Sequence, residues 1–154
     1  MRIPPSDGHA DEDKSTFRKA VGVAIPIKAA PQKLWALLTD APNVAHWNST
    51  VSEITGRIAL GETVSIKVPI SKRIFKVKVD VFEPAQRLVW SDGSAIFRGV
   101  RTYTLTPSSG GKTTFSMVEV FTGLLLPMIA PSLPDFKPVF TQYAADLKRE
   151  AERT

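Results

Sequence analysis

The sequence predicts an α+β domain in which a curved antiparallel sheet of seven strands grips one long C-terminal helix. Three observations carry this expectation. Apolar and polar residues alternate through most of residues 17–29 and 50–122, the period of strands with one buried face. The turn signals between these runs are short, so successive strands from residue 50 onward pair antiparallel. Near the end of the chain Phe136, Phe140, Tyr143, Leu147 and Ala151 recur three and four apart, a helical stripe able to fill the hollow of such a sheet.

Residues 1–16 carry two prolines, a glycine and mostly polar side chains, and read as a flexible N-terminal tail; residues 17–154 then form the domain. The first strand runs from Phe17 to Ala29, with Val21, Val23, Ile25 and Ile27 on one face. Pro31 suits a first helical turn, and Leu34, Trp35, Leu37 and Leu38 continue with helical spacing until Asp40-Ala41-Pro42 interrupts it. Asn43 to Trp47 reads as a second short helix. Two short helices after one strand suggest a cap over a sheet end.

Six strands are expected near 50–58, 62–70, 73–83, 86–92, 97–106 and 113–122, separated by turn residues such as Asp92-Gly93-Ser94 and Ser108-Ser109-Gly110-Gly111. The clearest alternation sets Phe75, Val77, Val79 and Val81 against Lys76, Lys78 and Asp80. Residues 123–134 hold Pro127, Pro131 and Pro134 and predict an irregular approach to the last helix. Asp135 can cap that helix, Pro138 sits in its first turn, and Lys148, Arg149 and Arg153 suit the negative end of its dipole. A strongly curled sheet, held off the helix at one end by the short helices, leaves a cavity between them.

A chain of 154 residues suits one domain, and 43% hydrophobic with 23% charged residues is ordinary for a globular body. The absence of cysteine excludes disulfides, thiolate zinc sites and cysteine nucleophiles. Met1 to Asp7 has no signal-peptide run, and the longest apolar stretch, Leu124 to Ala130, contains Pro127 and is too short to span a bilayer. A cytoplasmic location without stable membrane insertion follows as the default. The formal charge of +5 is uneven: Lys67, Lys72, Arg73, Lys76 and Lys78 form a basic stretch without an acid. It lacks the interleaved aromatics that base stacking needs, so it reads as a solvated face and no nucleic-acid partner is expected. No phosphate loop, GxSxG elbow or metal-spaced His/carboxylate cluster is present, so neither a metal nor a cofactor is expected.

Several segments resemble one known group. They are Ile27-Lys28-Ala29-Ala30-Pro31-Gln32-Lys33-Leu34-Trp35-Ala36-Leu37-Leu38-Thr39-Asp40, then Trp47-Asn48, Arg87-Leu88-Val89-Trp90, Arg101-Thr102-Tyr103-Thr104-Leu105-Thr106-Pro107 and Glu119-Val120-Phe121-Thr122-Gly123-Leu124. The chain resembles the START-like or Bet v 1-like (SRPBCC) superfamily over residues 17–152, in particular small bacterial proteins labelled polyketide cyclase/dehydrase. The resemblance implies a helix-grip fold. The superfamily holds lipid carriers, hormone receptors, cyclases and stress-response proteins, so the fold does not choose among activities.

The most informative pair is Arg101 and Glu119. If Leu105 faces Phe115, then Tyr103 faces Met117 and Arg101 faces Glu119, all on the concave wall. The pair either satisfies itself at the cavity mouth or, with Tyr103, orients a polar ligand end. Glu119 is also a candidate acid–base group, as is His46 on the second short helix, which could equally be a surface or capping histidine. Trp90, Phe97, Phe115, Met117, Phe121, Phe136 and Phe140 fall on inward positions, where core and ligand lining look alike. The expected function is binding of a small, largely hydrophobic ligand of lipid, polyketide or aromatic type between sheet and helix. The alternative is a cyclase/dehydrase-like enzyme with Glu119 or His46 as base and Arg101 stabilising an enolate. A third possibility is an interaction domain, as a homodimer for example.

Overall fold

Among the described residues the strands form one antiparallel sheet of eight, in the order β1-β2-β8-β7-β6-β5-β4-β3. They are β1 (Asp11–Ser15), β2 (Arg18–Ile27), β3 (Glu53–Thr55), β4 (Thr63–Lys67), β5 (Phe75–Glu83), β6 (Arg87–Gly93), β7 (Arg98–Pro107) and β8 (Thr113–Thr122). The structure is a computed structural model describing residues 4–153. Residues 1–3 of the expected tail and Thr154 at the expected domain end lie outside the described residues.

Seven strands were expected and eight form. The additional one, β1, lies in the stretch read as a flexible tail and pairs with β2 from Asp11↔Gly22 to Ser15↔Arg18. Its sequence, DEDKS, has no apolar alternation because its side chains are mostly solvent-facing. An edge strand can be held by backbone hydrogen bonds alone, and its charged side chains blunt further pairing. The strand expected at 50–58 shrinks to three residues, because Asn48, Ser49 and Thr50 are engaged elsewhere. Pro69, without an N–H, follows closely on the end of β4.

Among the described residues four helices accompany the sheet: α1 (Pro31–Thr39), α2 (Val44–Trp47), α3 (Leu126–Ile129) and α4 (Lys137–Glu152). Pro31 opens α1, and a 3₁₀ turn, Ala41–Asn43, links it to α2. The proline-rich approach to α4 contains the one-turn α3 and a further 3₁₀ turn, Ala130–Ser132. The Lys137 N–H donates to Asp135 Oδ1 at 3.1 Å.

The long helix lies in the concave face. Phe140, Tyr143, Ala144, Leu147 and Ala151 are buried in one cluster with Val21, Val23 and Ile27 of β2, Tyr103 and Leu105 of β7, and Phe115 and Met117 of β8. Burying each large side chain of this set contributes roughly 1.5–3 kcal/mol. The arrangement is a helix grip.

The register gives the grip two distinct ends. Arg18 of β2 and Arg98 of β7 both lie opposite Thr122, and Gly93 lies opposite Arg98, so these strand termini share one end with the start of α4. We call it the mouth end. At the other end the Lys28 N–H donates to Glu152 Oε2 at 2.9 Å, which brings the last turn of α4 to the end of β2, beside α1 and α2. This capped end is tied polar group by polar group. Asn48 Nδ2 donates to the Tyr143 carbonyl at 3.3 Å. The buried Asp146 carboxylate accepts from Ser49 N and Oγ at 2.8 and 2.6 Å and from Gln142 Nε2 at 2.7 Å. Arg149 pairs with it at 3.1 Å. Burial alone would raise the Asp146 pKa, but these donors hold it below the usual aspartate range. Along the flank, Gly8 N–H donates to Ala24 O and Ala10 N–H to Thr141 Oγ1, so the segment before β1 bridges β2 and α4.

Candidate functional site

Three central strands build the wall facing the first turns of α4. Because side chains alternate, β7 sends Gly99, Arg101, Tyr103 and Leu105 inward, and β8 sends Phe115, Met117, Glu119 and Phe121. The register pairs Arg101↔Glu119, Tyr103↔Met117 and Leu105↔Phe115. On the other side β6 sets Leu88 opposite Tyr103, Trp90 opposite Arg101 and Asp92 opposite Gly99.

The polar groups on this wall are linked. Arg101 Nε donates to Glu119 Oε1 at 2.8 Å, and Arg101 Nη1 donates to Tyr103 Oη at 3.3 Å. The guanidinium carbon lies 5.0 Å from the centre of the Phe140 ring, a cation–π contact that ties the pair to α4. Burial disfavours the Arg101 charge, but Glu119 and Tyr103 outweigh it and hold the pKa above the usual arginine range. The side chains of Arg101 and Glu119 keep 21% and 17% of their surface accessible, so the pair stands at a boundary between core and solvent. Below it the hydroxyl of Tyr143 meets that of Tyr103, and burial pushes the Tyr143 phenol well above its ordinary pKa.

Aromatic rings continue the wall toward the mouth. Phe140 neighbours Phe136 at 6.4 Å between centroids, Phe136 stacks on Phe121 at 5.4 Å, and Phe121 stacks on Phe97 at 6.0 Å. Lys19 Nζ lies 6.0 Å from the Phe136 centroid. Trp90 meets Tyr103 edge-on at 5.3 Å. The inward set thus divides by depth. Met117 and Phe140 have no more than 1% of their surface accessible and are core, with Tyr103, Trp90 and Phe121 close behind. Phe97 and Phe136 are partly open.

Asp92 was not singled out in the sequence, where Asp92-Gly93-Ser94 reads as a turn. It instead lies one residue before the end of β6, on the inner wall opposite Gly99. A Cβ at position 99 would lie 3.0 Å from Asp92 Oδ1, so the missing side chain there makes room for the carboxylate. Burial raises the Asp92 pKa, and the negative charge of Glu119 raises it further; Arg73, the Gly99 N–H and Arg101 pull the other way. Asp92 has no ion-pair partner among the described residues. The only advance signal was parity: counting two residues on from Trp90 along an unbroken strand puts Asp92 on the same face.

His46 stands elsewhere. It is exposed and lines a groove of about 360 Å³ with Leu37, Asp40, Asn43, Trp47, Glu150 and Arg153, at the capped end. Ten residues of α4 separate Phe140, beside Arg101, from Glu150, beside His46, which is about 15 Å along a helix. The two expected acid–base candidates therefore do not face one site.

Residues 18–152 match the protein family described as polyketide cyclase / dehydrase and lipid transport. The chain belongs to this family. Solved structures agree on the fold. The ZhuI aromatase/cyclase from Streptomyces sp. R1128 superposes with a TM-score of 0.68 at 13% identity, covering 88% of this chain and 94% of its own. DynU16, from the dynemicin biosynthetic locus, gives 0.67 at 21% identity, covering 87% of this chain and 47% of its own. A conserved protein of unknown function from Enterococcus faecalis gives 0.66 at 15% identity, covering 94% and 77%. No curated protein matches the sequence significantly.

Proposed function

We propose that the protein binds a small, largely apolar molecule with one polar end, seated at the mouth end between β6–β8 and the first turns of α4. The observation that carries this reading is the Arg101–Glu119 pair, still partly exposed on an otherwise aromatic wall. An ion pair of this kind, with Tyr103 beside it, offers donors and acceptors at one point, while Phe97 and Phe136 offer apolar surface above it. The family description, with its reference to lipid transport, supports the same ligand class.

Native mass spectrometry of the purified protein tests this. A retained apolar molecule is expected, with occupancy falling at least about tenfold in Glu119→Gln, because Arg101 then lacks its counter-charge and the anchor loses its geometry. No retained molecule, together with no uptake of long-chain fatty acids or polycyclic aromatic ketones, overturns the reading.

One observation favours a second reading, acid–base chemistry on a polyketide-like or aromatic substrate. Asp92 combines an inward position, no ion-pair partner among the described residues and a raised pKa, the combination a proton donor needs. Glu119, tied to Arg101, and His46, at the opposite end, are less suited to that role. Turnover of an aromatic polyketide mimic that Asp92→Asn abolishes, with retention of the molecule unchanged, would select this reading.

A further inference from the structure

Apolar side chains exposed to solvent are normal when scattered and informative when gathered. Here they are gathered. Eight large apolar residues are exposed among the described residues: Phe17, Leu60, Ile70, Ile74, Ile96, Leu124, Leu125 and Met128. All but Leu60 lie at the mouth end, on the turns 16–17, 68–74 and 94–97 and the approach 123–136. Leu124 and Met128 are 72% and 78% exposed.

Three of these loops are joined by backbone hydrogen bonds. Leu125 N–H donates to Ile96 O at 3.0 Å, and Gly123 N–H donates to Phe17 O at 3.3 Å. Gly123, at φ +138°, lets the two loops touch, since a Cβ there would lie 2.1 Å from Ile96 O. Within the 123–134 stretch most backbone donors are engaged: Leu126 bonds to Gly123, Met128 and Ile129 to Leu125, and Leu133 to Ala130, while Gly123 and Leu125 donate to the neighbouring loops. Pro127, Pro131 and Pro134 have no donor to satisfy. Such a segment enters an apolar phase at little desolvation cost.

The charges around it have one dominant sign. Residues 121–134 carry none at all. The flanking positions bring Arg18, Lys72, Arg73, Arg98 and Lys137, against Asp135, Asp92 and Asp80, the last paired with Arg98 at 3.9 Å. A second copy of the chain would present the same positive rim, which disfavours self-association through this end. A bilayer surface asks for no shape match, only apolar tips and attraction to anionic headgroups.

We propose that the mouth end docks on an anionic membrane surface, with Leu124, Leu125, Met128 and Ile96 in the headgroup–acyl boundary and the basic rim against the lipid phosphates. No helix among the described residues is long and apolar enough to cross a membrane, so the contact is peripheral. The proposal deepens the carrier reading, since an apolar ligand would then pass between bilayer and binding site without crossing water.

Flotation with lipid vesicles tests it. The wild-type protein should float with phosphatidylcholine vesicles containing about one third phosphatidylglycerol, float less with pure phosphatidylcholine, and be released by salt. The double variant Leu124→Glu, Met128→Glu should lose at least about tenfold in partitioning, and Lys72→Glu, Arg73→Glu should lose the anionic preference. All four side chains are exposed, and thermal melts of both variants should match the wild type. Failure to float with either vesicle overturns docking. So does a wild-type dimer that Leu124→Glu, Met128→Glu converts to a monomer, which would make the patch a self-association face. Native mass spectra separate this from the carrier reading: a retained ligand without flotation sinks only docking, and flotation without any retained ligand sinks only the carrier.

Discussion

The two ends of the grip use opposite kinds of contact. At the capped end Asn48, Ser49 and Asp146 tie the loop after α2 to α4, and the apolar side chains of Leu147 and Ala151 are sealed beneath. At the mouth end an arginine–glutamate pair stays partly wet, Asp92 stands without a counter-ion among the described residues, and most of the exposed large apolar side chains crowd the loops. On the proposed reading, fastening the helix at the capped end by long-range polar contacts places stability away from the ligand site.

The largest test of this contrast is a pair of truncations. Leu147→Ala, at the capped end, should cost about 3 kcal/mol in urea unfolding, because its fully buried side chain leaves a cavity. Phe97→Ala, partly open at the mouth, should cost about 1 kcal/mol or less while weakening ligand retention. Equal costs would break the comparison. Next, Asp146→Ala should cost about 2 kcal/mol at neutral pH, since Ser49 and Gln142 lose a buried acceptor.

The smallest effect is one of pH, and its sign differs between the ends. The folded Asp146 pKa lies below its unfolded value, so its stabilisation is present above the ordinary aspartate range and is lost as pH falls through the folded pKa. The folded Asp92 pKa lies above its unfolded value, so its contribution is present below the ordinary range and is lost as pH rises through the folded pKa. Asp146→Ala should therefore flatten the acid limb of the stability–pH curve. Asp92→Asn should instead raise stability at neutral pH relative to wild type and leave the acid limb unchanged. Denaturation midpoints between pH 3 and 8 read both; the same sign for both variants would show that the two carboxylates share one environment.

Much of the wall was legible in advance because strand parity is a strict period of two. Once Leu105 is set opposite Phe115, Arg101 and Glu119 must meet, and they do. β1 was illegible because DEDKS buries almost nothing and is held by its backbone. The separation of His46 from Glu119 was illegible because it depends on which end of α4 the short helices cover, a distance along the helix rather than a pattern in it. The grouping of Phe17, Ile70, Ile96 and Leu124 was hidden for the same reason: they lie in four separate turns that only the strand register brings to one end.

By itself, then, the sequence determined the alternation of each core strand, the faces of α4 and the pairing of the central strands, since these follow from local periodicity and short turns. The tertiary structure alone decided which end of the helix is tied by polar contacts and which end gathers the exposed apolar side chains. That choice rests on contacts between segments nearly a hundred residues apart, such as Asn48 with Tyr143 and Ser49 with Asp146, and long-range hydrogen bonds leave no periodic trace in a chain.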